Sequence, residues 1–140
     1  MADLPAPNVD YKKEIRFAVV MYGGVSLAIY INGVAQELLR MVKATAPRSE
    51  GEEVARDLGK GGKPCGTEAV YRKLSYLIDD LNVRKELKNQ LLTDRKAVAN
   101  WQPDGDITVR FMVDVLAGTS AGGINSIYLA KALANDQDMD

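Results

Sequence analysis

The junction at Ser120 constrains the fold more than any other feature. An apolar run rich in β-branched residues, Thr108–Ala117 (TVRFMVDVLA), passes without a loop into Gly118-Thr119-Ser120-Ala121-Gly122, and the apolar segment Ile124–Ala134 follows at once. A strand that turns straight into a helix through small residues is the building block of α/β folds. The five residues match G-x-S-x-G. In that context a serine is held out at the sheet edge, while Gly118 and Gly122, lacking Cβ, let the backbone bend sharply and neighbouring elements approach. The helix that follows aims its N-terminal N–H groups at the same point, which favours a developing oxyanion. The same residues also read as a plain Gly-rich turn with Ser120 as helix N-cap.

Working outward, Ile15–Met21 (IRFAVVM) reads as a first buried strand ending at Gly23-Gly24. Leu27, Ile31, Val34, Ala35, Leu38 and Val42 then mark one apolar helix face to about Lys43, with Ser26 as a candidate N-cap. Ala44–Gly66 holds five glycines, two prolines and many charges, and reads as a loop or insertion. Val70, Leu74, Leu77, Ile78 and Leu81 predict a second helix, which Leu87, Leu91 and Leu92 extend or follow with another; Pro103-Asp104-Gly105 is a turn. Strand, helix and strand in this order make the two strands parallel, in a sheet with helices on both faces. The expected organisation is a flexible leader over 1–13 and an α/β domain over 14–140, with the insertion at 44–66.

In a parallel sheet both Gly-rich turns lie at the carboxyl edge, where α/β sheets bind ligands. Backbone N–H groups of Gly23, Gly24 and Val25 can then face an oxygen of a substrate held at Ser120. A tight turn needing positive φ also accounts for two glycines. A dinucleotide site is disfavoured, because GGVSLA lacks the third glycine of G-x-G-x-x-G, and no Walker A sequence is present.

Composition narrows the chemistry. The chain has no His, which removes a Ser-His-Asp triad, a Cys-His pair and a His-based metal site from within it. Its 18 Lys+Arg balance 19 Asp+Glu, so no basic excess points to nucleic acid. Cys65 is the single cysteine and cannot form an internal disulfide, which favours a reducing compartment. Met1–Lys13 has two prolines, two aspartates and no apolar stretch of signal-peptide length, and no run approaches the ~20 residues of a membrane span. The expected location is the cytoplasm, with peripheral contact at a membrane left open.

Together, the first turn in VVMYGGVSLAIYINGV and the elbow in DVLAGTSAGG resemble the patatin-like phospholipases, in particular bacterial patatin-like proteins with a reduced first motif. The resemblance covers Tyr22–Leu27 and Asp114–Leu129. It implies a three-layer α/β/α sandwich with a mostly parallel sheet, of which this chain holds the N-terminal portion. It also implies a lipid acyl hydrolase (phospholipase or esterase) that works through a Ser–Asp dyad without His, metal or organic cofactor. Ser120 takes the nucleophile's position, within the elbow formed by Gly118, Thr119, Ala121 and Gly122. Gly23, Gly24 and Val25 take the oxyanion hole, and a lipid or other acyl ester is the substrate. The family's usual first motif is G-G-G-x-Arg/Lys-G; here Tyr22, Ser26 and Leu27 stand in place of the first Gly, the basic residue and the last Gly. The alternative is a non-catalytic lipid- or protein-binding module that keeps the elbow as a structural turn.

The family's dyad Asp lies in an Asp-Gly-Ala/Gly motif downstream of the elbow, and no such motif follows Ser120. The chain is therefore expected to lack its dyad Asp and to be inactive alone. Asp114 precedes Ser120 by six strand residues, ~20 Å, and is expected to have a local partner instead. Asp104 and Asp106 precede the elbow strand, at the far end of the sheet. Asp136, Asp138 and Asp140 remain in the polar tail as a fallback. Tyr71, Tyr76 and Tyr128 are expected to pack with a polar tip at the surface. Cys65, near Lys60 and Lys63, reads as a solvated loop thiol.

Overall fold

The computed structural model describes residues 13–46, 66–79, 109–135 and 137–139, with isolated positions between 85 and 96. Leader residues 1–12, insertion residues 47–65 with Cys65, the second helix's continuation through Leu81, Leu87, Leu91 and Leu92, Asp104, Asp106, Asp136 and Asp140 lie outside the described residues.

Strand β1, Lys13–Gly23, leads through a 3-10 turn at Val25–Leu27 into helix α1, Ala28–Ala44. Helix α2 spans Gly66–Asp79, strand β2 spans Val109–Ser120, and helix α3 spans Ala121–Asn135. The strands pair in parallel, from Lys13 opposite Val109 to Gly23 opposite Ser120, as the strand–helix–strand order requires. Both run past their sequence-predicted ends. β1 begins at Lys13, inside the expected leader, and β2 continues through the elbow to Ser120. The ladder pairs backbone groups whatever the side chain, and this overrides the poor strand propensity of glycine.

Opposite Phe17 stands Val113, but opposite Ala18 stands Val115, so Asp114 is an extra residue in β2 and forms a bulge. Its Oδ2 accepts a hydrogen bond from Arg16 Nη1 at 3.0 Å, the local partner expected for it. Arg16 also pairs with Glu14, and the hydrogen bonds from Arg16 to Glu14 and Asp114 hold its guanidinium protonated even more firmly than usual.

Met21, Ala35, Leu39, Leu129 and Ala132 form the core, with Val19, Ile31, Leu38, Leu116 and Leu133 against it. Helices α1 and α3 therefore lie side by side on one face of the sheet. Residues of the opposite face, among them Val20, Tyr22 and Val115, are exposed. Among the described residues the fold is mixed α/β, with a two-stranded parallel sheet and α1 and α3 on one face.

Ser26 is not the N-cap of α1. It lies inside the 3-10 turn, the cap position is Leu27, and the Leu27 N–H donates to Gly24 O at 3.0 Å. At the other end, Thr45 is fully buried. Its hydroxyl reaches Val42 O and accepts the Phe111 N–H at 2.9 Å, which ties the end of α1 to β2. Ala44 and Gly66, the limits of the expected insertion, are the last residue of α1 and the first of α2.

Candidate functional site

Ser120 is the one described non-glycine residue with positive φ, 53°. For a residue with a Cβ that left-handed conformation costs about 1–2 kcal/mol. An N-cap serine ordinarily sits in the extended region instead, so Ser120 does not have the backbone of a simple cap. Its strain is imposed from both sides. A Cβ on Gly118 would lie 2.5 Å from Gly122 C and O and 2.7 Å from Gly123 N. A Cβ on Gly122 would lie 2.0 Å from Met21 O. These are backbone atoms and cannot swing away. The two glycines thus let α3 start directly against β1 and β2, and this close packing sets the bend at Ser120.

The ladder brings the second turn alongside, since Gly23 is the register partner of Ser120 and Tyr22 that of Thr119. Ser120, Thr119, Gly24 and Val25 are exposed at this edge, while Ala121 and Gly23 are half-buried. Neither Gly23 nor Gly24 has positive φ, so the tight-turn account of the pair does not hold. A Cβ on Gly23 would meet Ile31 Cδ1 at 2.3 Å. Gly24 is extended, with φ −102° and ψ −177°, and a Cβ there would meet nothing within 4 Å. Neither conformation nor crowding accounts for glycine at position 24.

Below the mouth runs a chain of amides. Gln36 Nε2 donates to Asn32 Oδ1 at 2.9 Å, Asn32 Nδ2 to Asn125 Oδ1 at 3.1 Å, and Asn125 Nδ2 to Ala121 O at 2.9 Å. Ser126 Oγ donates to Gly122 O at 2.8 Å. Asn125 and Ser126 are buried. Sequence reasoning passed over these residues; the available signal was an asparagine interrupting each of two apolar helix faces.

The carboxylates considered for the base lie elsewhere. Asp114 is held by Arg16 about 20 Å down the strand. Asp138 follows the far end of α3, a helix about 22 Å long, where it accepts a hydrogen bond from Lys43 Nζ at 2.8 Å. The fallback to the tail therefore fails at Asp138, because α3 runs away from Ser120. Among the described residues no group of three or more His, Cys, Asp or Glu forms a metal-binding cluster.

Charge is distributed along the strand axis. No charged residue occurs from Phe17 to Gln36 or from Val115 to Ala130, the segments that build the Ser120 end. The exposed Tyr22, Val25, Ile29, Tyr30, Ile124, Ile127 and Tyr128 belong to those segments. Tyr128 is thus largely exposed, whereas Tyr71 packs as expected and its hydroxyl donates to Glu37 at 3.1 Å.

No family model matches the chain, and no solved structure matches it. A sequence relative does. The chain is 29% identical over 135 residues to an uncharacterized membrane protein, Rv3479, of Mycobacterium tuberculosis. The match takes in 96% of this chain and 10% of the relative, so the chain spans about a tenth of that relative's length. Among the described residues no helix is long and apolar enough to cross a membrane.

Proposed function

We propose that this chain carries the nucleophile and oxyanion turn of a patatin-like serine acyl hydrolase acting on lipid esters. The observation that carries the reading is Ser120, held at positive φ between two glycines that admit no Cβ and paired in register with Gly23. Strain of this kind collects at functional sites, where surrounding packing pays for it. Gly24 adds support, since its bare, extended backbone suits the close approach of a ligand oxygen.

In this reading Ser120 Oγ attacks the ester carbonyl and loses its proton to a general base. The carbonyl oxygen gains charge and accepts hydrogen bonds from backbone N–H groups of Gly23, Gly24 and Val25. The C–O bond then breaks, the alcohol leaves with the proton, and water releases the fatty acid from the acyl-serine. The base is the Asp of a Ser–Asp dyad supplied from outside the described residues, within a three-layer sandwich of which these elements form the first part. No metal or cofactor enters. The uncharged, tyrosine-bearing end around Ser120 suits acyl chains and contact with a membrane surface.

The second reading, a non-catalytic lipid- or protein-binding module, is favoured by the distance of Asp114 and Asp138 from Ser120 and by Tyr22, Ser26 and Leu27 in the first turn. In a longer chain that carries the dyad Asp, a fluorophosphonate probe separates the two. Labelling confined to Ser120, lost in Ser120→Ala and in Ser120→Gly, is expected for the hydrolase. Ser120→Gly should also stabilise the fold by about 1 kcal/mol as the strain is relieved. Absence of labelling at Ser120 would favour the binding module.

A further inference from the structure

We propose that Asn32 and Asn125 are positioning residues that hold the first turn of α1 against the first turn of α3 and so steady the two turns of the site. The idea rests on the hydrolase reading for its catalytic consequence, but the geometry behind it stands on the hydrogen bonds themselves. Asn32 is the fifth residue of α1 and Asn125 the fifth of α3, so each lies one turn below the mouth. Their side chains meet at 3.1 Å, and Asn125 also holds the carbonyl of Ala121, the residue directly after Ser120.

The core residues that these helices contribute are Ala35, Leu39, Leu129 and Ala132, with Ile31, Leu38 and Leu133 packed against them. Such contacts are non-directional and do not single out one relative setting of the helices as a hydrogen bond does. An amide pair at hydrogen-bond distance cannot slide without breaking. Asparagine is a poor helix former, and burying an amide gains little stability over a well-packed apolar side chain. A leucine at position 125 would serve stability at least as well. The ladder already pairs Gly23 with Ser120; what the amides add is a fixed setting of α1 against α3, and through it of the Gly24–Leu27 turn against Ser120. Buried polar pairs that specify register are the best-attested use of such groups.

The consequence is specific. Misplacement of a reacting group by about 1 Å can cost about 10²-fold in rate. Asn125→Leu, Asn32→Val and the double variant are compared with their unaltered parent, a longer chain that carries the dyad Asp, with Asn125→Ser and Asn32→Ser as smaller replacements should the first set fold poorly. Three quantities are read: melting temperature, the saturating rate and half-saturation of fluorophosphonate labelling at Ser120, and amide hydrogen exchange at Gly24–Leu27 and Gly122–Ile124. The expected result is a melting temperature near that of the parent in the double variant, which leaves neither amide of the pair buried without its partner. The saturating labelling rate falls at least 10-fold with half-saturation unchanged, and exchange at both turns quickens while the strand centres stay protected. The double variant is expected to lose less than the sum of the two single ones, because each removes the shared Asn32–Asn125 bond and only one further bond of its own, Asn125 to Ala121 O or Gln36 to Asn32. Unchanged exchange at both turns in folded variants overturns the proposal, as does a melting temperature that falls while the labelling rate holds. If the longer chain that carries the dyad Asp is not labelled at all, the hydrolase reading fails, and exchange at the two turns alone still decides whether the pair holds them against each other.

Discussion

Gly24 and Gly122 are the same residue type under opposite constraints. Gly122 faces the carbonyl of Met21 so closely that any Cβ must displace backbone. Gly24 is extended and open, a conformation that β-branched residues favour. Gly122→Ala should therefore cost about 3 kcal/mol or more in urea unfolding, because α3 must lift from β1. Gly24→Val should leave stability unchanged or raise it by about 0.5 kcal/mol through the unfolded chain. Its effect belongs to the site: labelling of Ser120 should slow by about 10²-fold as the side chain fills the space before the N–H groups. Wild-type labelling in Gly24→Val would show that the turn is structural only. The lone serine hydroxyl is thus placed by glycines acting in two different ways, one by close packing and one by openness.

At the scale of elements, α1 and α2 are joined by a polar contact that responds to pH. Burial raises the Glu37 pKa, but hydrogen bonds from Arg40, Thr67 and Tyr71 outweigh it and hold the carboxyl below its ordinary range. Burial and the bond to Glu37 raise the Tyr71 hydroxyl. A lowered folded-state pKa means that the contact stabilises fully above the unfolded value, near 4.5, and is lost as pH falls through the lower folded value. The melting-temperature gap between the unaltered chain and Glu37→Gln should therefore be constant at neutral pH and close below about pH 4. A gap independent of pH would assign the effect to packing. The elements themselves were readable because apolar spacing reports local geometry: a short β-branched run at Ile15–Met21, a helical period from Leu27 to Val42, and glycines flanking Ser120. The bulge at Asp114, the bond from Thr45 to Phe111 and the Asn32–Asn125 pair were not readable. Each depends on which distant segment lies opposite, and the asparagines are separated by 93 positions. Ser26 misled for a related reason: a hydroxyl before a helix signals a cap only if the chain does not first tighten into a 3-10 turn.

At the scale of the whole molecule, burial is one-sided among the described residues. Helices α1 and α3 cover the face of Val19, Met21 and Leu116, while Val20, Tyr22 and Val115 remain exposed on the other. Helix α3 repeats the asymmetry in miniature. It turns Gly122, Asn125, Ser126, Leu129 and Ala132 inward and presents Ile124, Ile127 and Tyr128 to solvent. Apolar surface of this extent on a two-stranded sheet is a strong drive to association, since each buried side chain of this size gains about 1.5–3 kcal/mol. The segments concerned carry no charge that would oppose contact. The chain in isolation is expected to associate, with a sedimentation coefficient that rises with concentration. Sodium chloride should not disperse the assemblies, and sulfate should strengthen them. Val20→Lys combined with Ile127→Lys should shift the distribution toward monomer, because each places a charge where contact would strip it of water. Paired lysines at the exposed positions 85 and 96, already distant from the open face in sequence, supply the control when changed to Glu. A chain that sediments as a monomer at every concentration, with or without the two lysines, would mean that these apolar faces are too small or too divided to bind one another.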